Sequence, residues 1–246
     1  MIKTKIKSAM LYPSFLLSAL VLVVTGMMVW VVPKIMELFM NSGQELPLLT
    51  KIVIAVSDFL VNHGYILLVI LAGFLVFLYF FKKTDTGKYT LDNFKLHIPI
   101  FGKLIKKGYL ARFSRSLGNM VDSKISIVRA LEITANSIGN EVYKRKLLLS
   151  VEDIKQGIPL AENLSASPLF PPMLVSMIDV GEKTAQLDEI TIKIAKFYED
   201  EVDTTVAGIS KVIEPIIIVL IGVSVFIVVA AIMVPLMKIS DFAGTF

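Results

Sequence analysis

The amino-acid sequence predicts an all-α membrane protein, with three transmembrane helices and one cytoplasmic helical bundle of about six helices. Three observations predict this fold class. Hydrophobic residues make up 55% of the 246 positions and the mean hydropathy is +0.73, which is high for a soluble domain. Three segments are long, apolar and nearly free of charge. Between the second and third, apolar residues recur at helical spacing, without a convincing alternation of strand length.

Each of the three apolar segments is predicted to cross the bilayer once. Residues 11–32 carry no charge and are long enough for a spanning helix. No small-residue cleavage site follows them, so they are predicted to be a retained anchor and not a signal peptide. Residues 65–81 lie at the short end of the spanning range. Residues 213–236 form the third segment, in which Pro215 suits the first turn of a helix.

Lysine and arginine are distributed asymmetrically around these segments, and this bias predicts the orientation. Residues 1–10 carry three lysines, and residues 82–120 carry nine basic residues against two acidic ones. The loop at residues 33–64 carries two lysines against three acidic residues. We therefore expect the N-terminal tail and the bundle, residues 82–212, in the cytoplasm. The loop and the tail at residues 237–246 are expected on the opposite side.

Within residues 82–212, stripes of apolar residues indicate short amphipathic helices separated by turn-rich breaks. Such helices must bury their apolar faces against one another, which predicts a bundle. The stripes begin at Leu110, Val128, Leu147 and Leu187. Three methionines are expected in the core: Met120, Met173 and Met177.

The segment at residues 176–190 concentrates acidic side chains around one glycine, Gly181. This glycine is predicted to end a helix, where a left-handed residue is easiest for glycine. Asp188 and Glu189 are then expected in the first turn of the next helix, where the helix dipole favours negative charge.

A chemical interpretation of the same segment is weaker. Glu182 and Asp188 could approach each other across the bend, but no nucleophile, histidine or phosphate-binding loop accompanies them. The two acids are weak candidates for binding a divalent cation, although their spacing matches no calcium loop. We therefore predict no catalytic residue and no cofactor-binding residue.

Other enzyme and transporter signatures are missing from the sequence. There is no cysteine, and the two histidines are too few and too far apart for a histidine-based metal site. The interiors of the three apolar segments contain no ionisable residue of the kind that transport pathways use. The alternative function, from another class, is a membrane-bound transporter or enzyme with a regulatory cytoplasmic helical domain.

Basic residues cluster just after the second apolar segment. Beside a membrane such a cluster sets topology, touches anionic lipid or meets an acidic partner, and nucleic acid is not an expected ligand. The bundle ends in an acidic segment, residues 199–203. A domain that is basic at its start and acidic at its end suits docking between proteins. The candidate partner-docking residues are Lys106, Lys107, Arg112 and Arg115.

Three segments, taken in order, resemble the F-protein family of type II secretion, the inner-membrane platform proteins of type II secretion and type IV pilus assembly. They read LHIPIFGKL at residues 96–104, PLFPPMLVSMIDVGEKTAQLDEI at 168–190 and EPIIIVLIGVSVFIVVAAIMVPL at 214–236. The matching positions that the resemblance marks as structural or interacting are Pro99, Gly102, Phe170, Pro171, Gly181, Glu182, Leu187, Glu214, Pro215 and Pro235.

The resemblance implies a non-enzymatic platform without a cofactor in a bacterial or archaeal cytoplasmic membrane. The implied partners are a cytoplasmic assembly ATPase at the bundle, pilin or pseudopilin subunits at the spans, other inner-membrane assembly proteins, membrane lipid and further copies of the chain. Family members usually carry two bundles, and this chain begins where the first would end, as expected of a short form, a split protein or a fragment. Two turns depart from the family pattern: Lys124 replaces a small residue and Ala185 replaces a glycine.

Overall fold

The computed structural model describes residues 2–34, 37, 48–99 and 101–243. All regular secondary structure in these residues is helical, which confirms the predicted all-α class. The chain divides into two compact units. One comprises Met1–Ile6 and Tyr79–Ile209 and is called the bundle unit here. The other comprises Lys7–Leu78 and Ser210–Phe246 and is called the apolar unit.

The apolar unit contains the long uncharged helices. Helix α1 (Ile2–Gly26) continues into a π-helical turn, Met27–Val31, and α2 covers Leu48–Phe81. The hydroxyl of Ser57 in α2 donates to the carbonyl of Met28 at 2.5 Å. This hydrogen bond ties α2 to the π-helical turn after α1.

Three helices are long and apolar enough to cross a membrane, as the sequence predicted: Ser14–Lys34, Thr50–Phe81 and a third within Leu187–Ile227. The second span was predicted to begin at residue 65. In the structure this residue lies inside α2, which begins at Leu48. Asp58 and His63 interrupt the apolar pattern without interrupting the helix.

Besides the first residues of α1 and the last of α2, the described residues of the bundle unit form seven helices, of which about six were predicted. Their bounds are α3 (Asp85–His97), α4 (Phe101–Asp122), α5 (Ile127–Ser137), α6 (Glu141–Lys155), α7 (Leu160–Ser165), α8 (Pro172–Lys183) and α9 (Leu187–Ala243). The last of these also supplies the final part of the apolar unit. The prediction that Pro215 begins a helix is wrong, since α9 passes through it. The missing N–H therefore removes one hydrogen bond inside the helix.

Residues from all four predicted apolar stripes lie in the core of the bundle unit. Leu110, Leu131, Leu147 and Leu187 are buried. Met120 and Met177 pack against this core. The expectation for Met173 is wrong, because 43% of it is exposed. The inner face of α8 carries Leu174, Ile178 and Gly181, at helical spacing. Met173 precedes Leu174 by one position, about 100° around the helix axis, and therefore points away from this face.

Candidate functional site

Glu182 has a structural role in the bundle unit. Its Oε1 accepts a hydrogen bond from the N–H of Leu160 at 2.7 Å, and its Oε2 accepts one from Ala161 at 2.9 Å. These are the first two residues of α7, whose N–H groups have no partner within their own helix. The carboxylate therefore caps α7 from the neighbouring helix α8, and its charge complements the helix dipole.

Asp188, the other candidate metal ligand, makes separate contacts. One carboxylate oxygen accepts from the N–H of Glu189, and the other lies 3.9 Å from the Nζ of Lys124. Both Asp188 and Glu189 lie in the first turn of α9, as predicted. Within the described part of the chain, no group of three or more His, Cys, Asp or Glu residues is placed to hold a metal ion.

The turn after Gly181 differs from the prediction. Gly181 is helical and buried, and Ala185 is the residue with positive φ, at 56°. The N–H of Gln186 donates to the carbonyl of Gly181 at 2.9 Å, and the N–H of Ala185 donates to that of Glu182 at 3.3 Å. These two bonds form a Schellman motif, whose left-handed position comes four residues later than predicted.

Gly181 is a close-packing residue. A Cβ atom there would lie 3.2 Å from the Cα of Leu187 and 3.4 Å from the Cβ of Ile190. The absence of a side chain thus lets α8 approach the start of α9.

The family-motif residues between α3 and α4 also form a tight corner. The carbonyl of Pro99 accepts from the N–H of Phe101 at 2.8 Å, and that of Ile98 accepts from Gly102 at 2.7 Å. A Cβ atom on Gly102 would lie 2.5 Å from the carbonyl oxygen of Leu96, so a larger residue would force the corner open.

The PLFPP segment anchors the loop before α8 in an aromatic cluster. The ring of Phe170 lies 5.3 Å from that of Phe113 and 5.9 Å from that of Tyr143. Pro171 follows in an extended conformation and occupies the N-cap position of α8. Burial raises the pKa of the Tyr143 hydroxyl, which donates a hydrogen bond to the carbonyl of Leu169 at 3.3 Å.

Two of the predicted docking cations bind the acidic segment of the same chain. The guanidinium of Arg115 in α4 donates two hydrogen bonds to the carboxylate of Glu199 in α9, at 3.1 and 2.7 Å. The pKa of this guanidinium is raised, chiefly by its hydrogen bond to Glu199. The Nζ of Lys107 lies 2.6 Å from Oε2 of Glu201 and 3.0 Å from the hydroxyl of Thr205.

The same two helices meet closely at another point. A Cβ atom on Gly118 of α4 would lie 2.8 Å from the Oγ1 of Thr191 and 2.9 Å from the Cγ1 of Ile192. We call this contact, together with the ion pairs of Lys107 and Arg115, the α4–α9 seam. The basic start and acidic end of the bundle thus neutralise each other in part.

Arg112 is also engaged within the bundle. Its guanidinium donates to the carbonyl of Ile138 at 2.8 Å and lies over the ring of Tyr109. The side-chain ammonium of Lys106, in contrast, makes no ion pair or hydrogen bond within the described part of the chain. It lines a groove of about 550 Å³ between α3, α4 and α6, called the α3–α6 groove here. Sequence reasoning missed this groove because its walls come from distant segments.

The remaining motif residues lie in α9. Glu214 and Pro215 are exposed in the apolar unit, and Pro235 belongs to the same helix. Within this unit, α1 and α9 border an almost wholly apolar groove of about 220 Å³. Small side chains open it, Ala19 from α1 and Ser224 from α9.

Comparison with known proteins gives consistent matches. The model of the family described as type II secretion system protein F matches residues 113–235. The type IV pilus assembly protein PilC of Thermus thermophilus is 40% identical over 97% of this chain and 59% of its own length. TapC of Aeromonas hydrophila, also a type IV pilus assembly protein, is 33% identical over 99% of this chain and 59% of its own. The type II secretion system protein F of Pseudomonas aeruginosa is 29% identical, over 98% and 60%. The chain thus spans about three fifths of the length of these relatives.

Proposed function

Because this chain belongs to the type II secretion system F-protein family, we propose that it is a platform component of a type II secretion or type IV pilus assembly machine. In this role it performs no catalysis of its own. The bundle unit receives a cytoplasmic assembly ATPase, and the apolar unit receives pilin or pseudopilin subunits within the bilayer. Conformational work done by the ATPase then passes through the chain to the subunits.

The observation that carries this proposal is the attachment of α9 to α4. One helix, Leu187–Ala243, has residues in both units. Its first part is joined to the bundle through the α4–α9 seam, by a close approach at Gly118 and by ion pairs to Glu199 and Glu201. Several contacts spread along one helix resist sliding better than a single contact does. A displacement of α4 is therefore expected to reach the apolar part of α9.

The apolar unit offers a surface that suits the second partner. A subunit that contacts the spans within the bilayer must itself present an apolar surface there. Small residues in a groove allow another helix to approach closely, which is how helices associate in lipid. The groove between α1 and α9, with Ala19 and Ser224, has this character.

The proposed placement is the cytoplasmic membrane of a bacterium or archaeon, with the N-terminus and the bundle unit inside and the C-terminus outside. The supporting observation is the excess of lysine and arginine in residues 1–10 and 82–120 over the loop at 33–64. Other inner-membrane assembly proteins, lipid and further copies of the chain complete the proposed surroundings, and nucleic acid is not a direct partner.

Disruption of the gene in the source organism tests the proposal. We expect the disrupted strain to lose surface pili or protein secretion, and the wild-type gene to restore them. A variant with the seam charge reversed, Arg115→Glu, should restore function poorly when it is supplied to the disrupted strain. The double variant that exchanges the two charges, Arg115→Glu with Glu199→Arg, should restore it. Arg129→Glu is the matched control, because Arg129 pairs with Glu132 on the bundle surface, where reversal should matter little.

Protein levels in the membrane fraction must be equal for all of these variants, so that a loss of function is not a loss of protein. Normal piliation and normal secretion in the disrupted strain would contradict the proposal.

A further inference from the structure

The α3–α6 groove is an open basic surface. Its lining includes the cations Lys106 from α4 and Arg145 and Lys146 from α6, together with His97 from α3. No aspartate or glutamate is among the residues that line it. The size of the groove, about 550 Å³, falls within the range of ligand-binding clefts.

The positive charge of this groove is only partly neutralised from within the chain. Arg145 lies 3.4 Å from Oε1 of Glu141, whose other oxygen lies 3.3 Å from the Nζ of Lys88, so one carboxylate serves two cations. The Nζ of Lys146 donates to the neutral amide oxygen of Asn163 at 3.1 Å.

Lys106 has no carboxylate partner within the described residues. It differs in this from Lys107 and Arg115, whose charges are paired in the α4–α9 seam. The uncompensated charge in the groove therefore favours an anionic ligand.

The groove also has an apolar part. Leu96 is buried and lines it, and so does Leu149, of which 63% is exposed. An exposed leucine beside three cations suits a ligand that combines carboxylates with an apolar side chain. The acyl chains of an anionic lipid stay in the bilayer core, so a lipid surface presents phosphate to the three cations and no apolar group to Leu149.

We infer that the α3–α6 groove binds an acidic peptide segment of a partner protein, with carboxylates on Lys106, Arg145 and Lys146 and an apolar side chain against Leu149. This rests on the proposed function only for the partner's identity, since a component of the assembly machine would carry the segment. The binding itself is a property of the groove.

Fluorescence anisotropy with the full chain in nanodiscs of zwitterionic lipid tests this directly. The probe is a labelled 15-residue helical peptide in which glutamates flank leucines at helical spacing, and a second peptide carries glutamine in place of every glutamate. We expect saturable binding of the acidic peptide, and at least tenfold weaker binding of the glutamine peptide. Lys106→Glu should weaken binding of the acidic peptide about tenfold.

Lys103→Glu is the matched control, because Lys103 is exposed on the same helix, outside the groove, and the change in net charge is identical. It should alter binding less than twofold. Leu149→Ser should weaken binding of the acidic peptide and leave the helical content, measured by circular dichroism, unchanged.

Three results would overturn the inference: no binding of the acidic peptide, equal losses for the two lysine variants, or, in place of peptide binding, direct binding of anionic vesicles that Lys106→Glu abolishes. The gene-disruption test is separate from these. Peptide binding without any assembly defect would contradict the proposed function alone, and an assembly defect without peptide binding would contradict the groove alone.

Discussion

Two residues with side chains adopt a left-handed backbone conformation in the described chain, Lys124 with φ 62° and Ala185 with φ 56°. Each lies two residues beyond the last residue of a helix, Lys124 after α4 and Ala185 after α8. They are also the two turn positions at which the resemblance marks a departure, Lys124 from a small residue and Ala185 from glycine. At Ala185 the departure from glycine adds local strain, because a Cβ atom is unfavourable in this conformation and a glycine has none.

Replacement of Ala185 by glycine is expected to stabilise the chain. Relief of the left-handed conformation is worth about 1–2 kcal/mol, and the extra freedom of glycine in the unfolded chain offsets about 0.4–1 kcal/mol of it. The net gain in the free energy of unfolding should be about 0.5–1 kcal/mol, measured by thermal denaturation of the detergent-solubilised chain. Ala207→Gly, at an exposed helical position of α9, should instead destabilise by about 1 kcal/mol. Destabilisation by both substitutions would contradict the assignment of Ala185.

Removal of the Glu182 carboxylate tests its role as a cap. Glu182→Ala leaves the N–H groups of Leu160 and Ala161 without their partner and should cost about 1–2 kcal/mol. Glu182→Gln retains one acceptor oxygen and should cost less. Glu189→Ala removes only an exposed pair with Lys193 and should change stability by less than about 0.5 kcal/mol.

The melting temperature of the wild-type chain should be the same with EDTA and with added divalent cations. A metal-dependent shift that Glu182→Ala removes would show that this carboxylate is a ligand and not a cap.

At the scale of the helices, the sequence predicted the elements better than their contacts. Apolar stripes at helical spacing located α4, α5, α6 and the start of α9, because burial requires that spacing. The partners of the basic residues could not be predicted in this way. Arg115 and Glu199 are 84 positions apart, and only the packing of α4 on α9 brings them together.

The candidate site shows the same limit in its details. The sequence placed a left-handed residue at Gly181, since glycine most often takes that conformation. In the structure, tight packing against Leu187 requires the glycine, and the turn falls on Ala185. Local chemistry predicted that a turn occurs here, whereas long-range packing determined which residue makes it.

The close approach of α4 and α9 can be tested at Gly118. Gly118→Ala places a methyl group within 3 Å of Thr191 and Ile192, and forcing these helices apart should cost about 1–3 kcal/mol. Gly208→Ala is the control, because no atom lies within 4 Å of a Cβ at that position of α9. It should stabilise the helix by up to about 1 kcal/mol. Chemical denaturation of both variants separates the effect of packing on the free energy of unfolding from that of helix propensity. An unchanged free energy of unfolding for Gly118→Ala would show that the seam is loosely packed.

At the scale of the whole molecule, function depends on which side of the membrane the bundle unit faces. The proposed ATPase and the acidic partner of the α3–α6 groove both require a cytoplasmic bundle. The distribution of lysine and arginine predicts this orientation. Neither the helix bounds nor the family match tests it, because both are the same for either orientation.

Because the chain contains no cysteine, an introduced cysteine is its only thiol, and labelling in intact cells with a membrane-impermeant maleimide measures the orientation directly. Lys103→Cys marks the exposed surface of α4, and Ser42→Cys marks the loop predicted to lie outside. The predicted result is labelling of Ser42→Cys in intact cells and labelling of Lys103→Cys only after the membrane is permeabilised. Labelling of Lys103→Cys in intact cells would place the bundle outside and contradict the platform function.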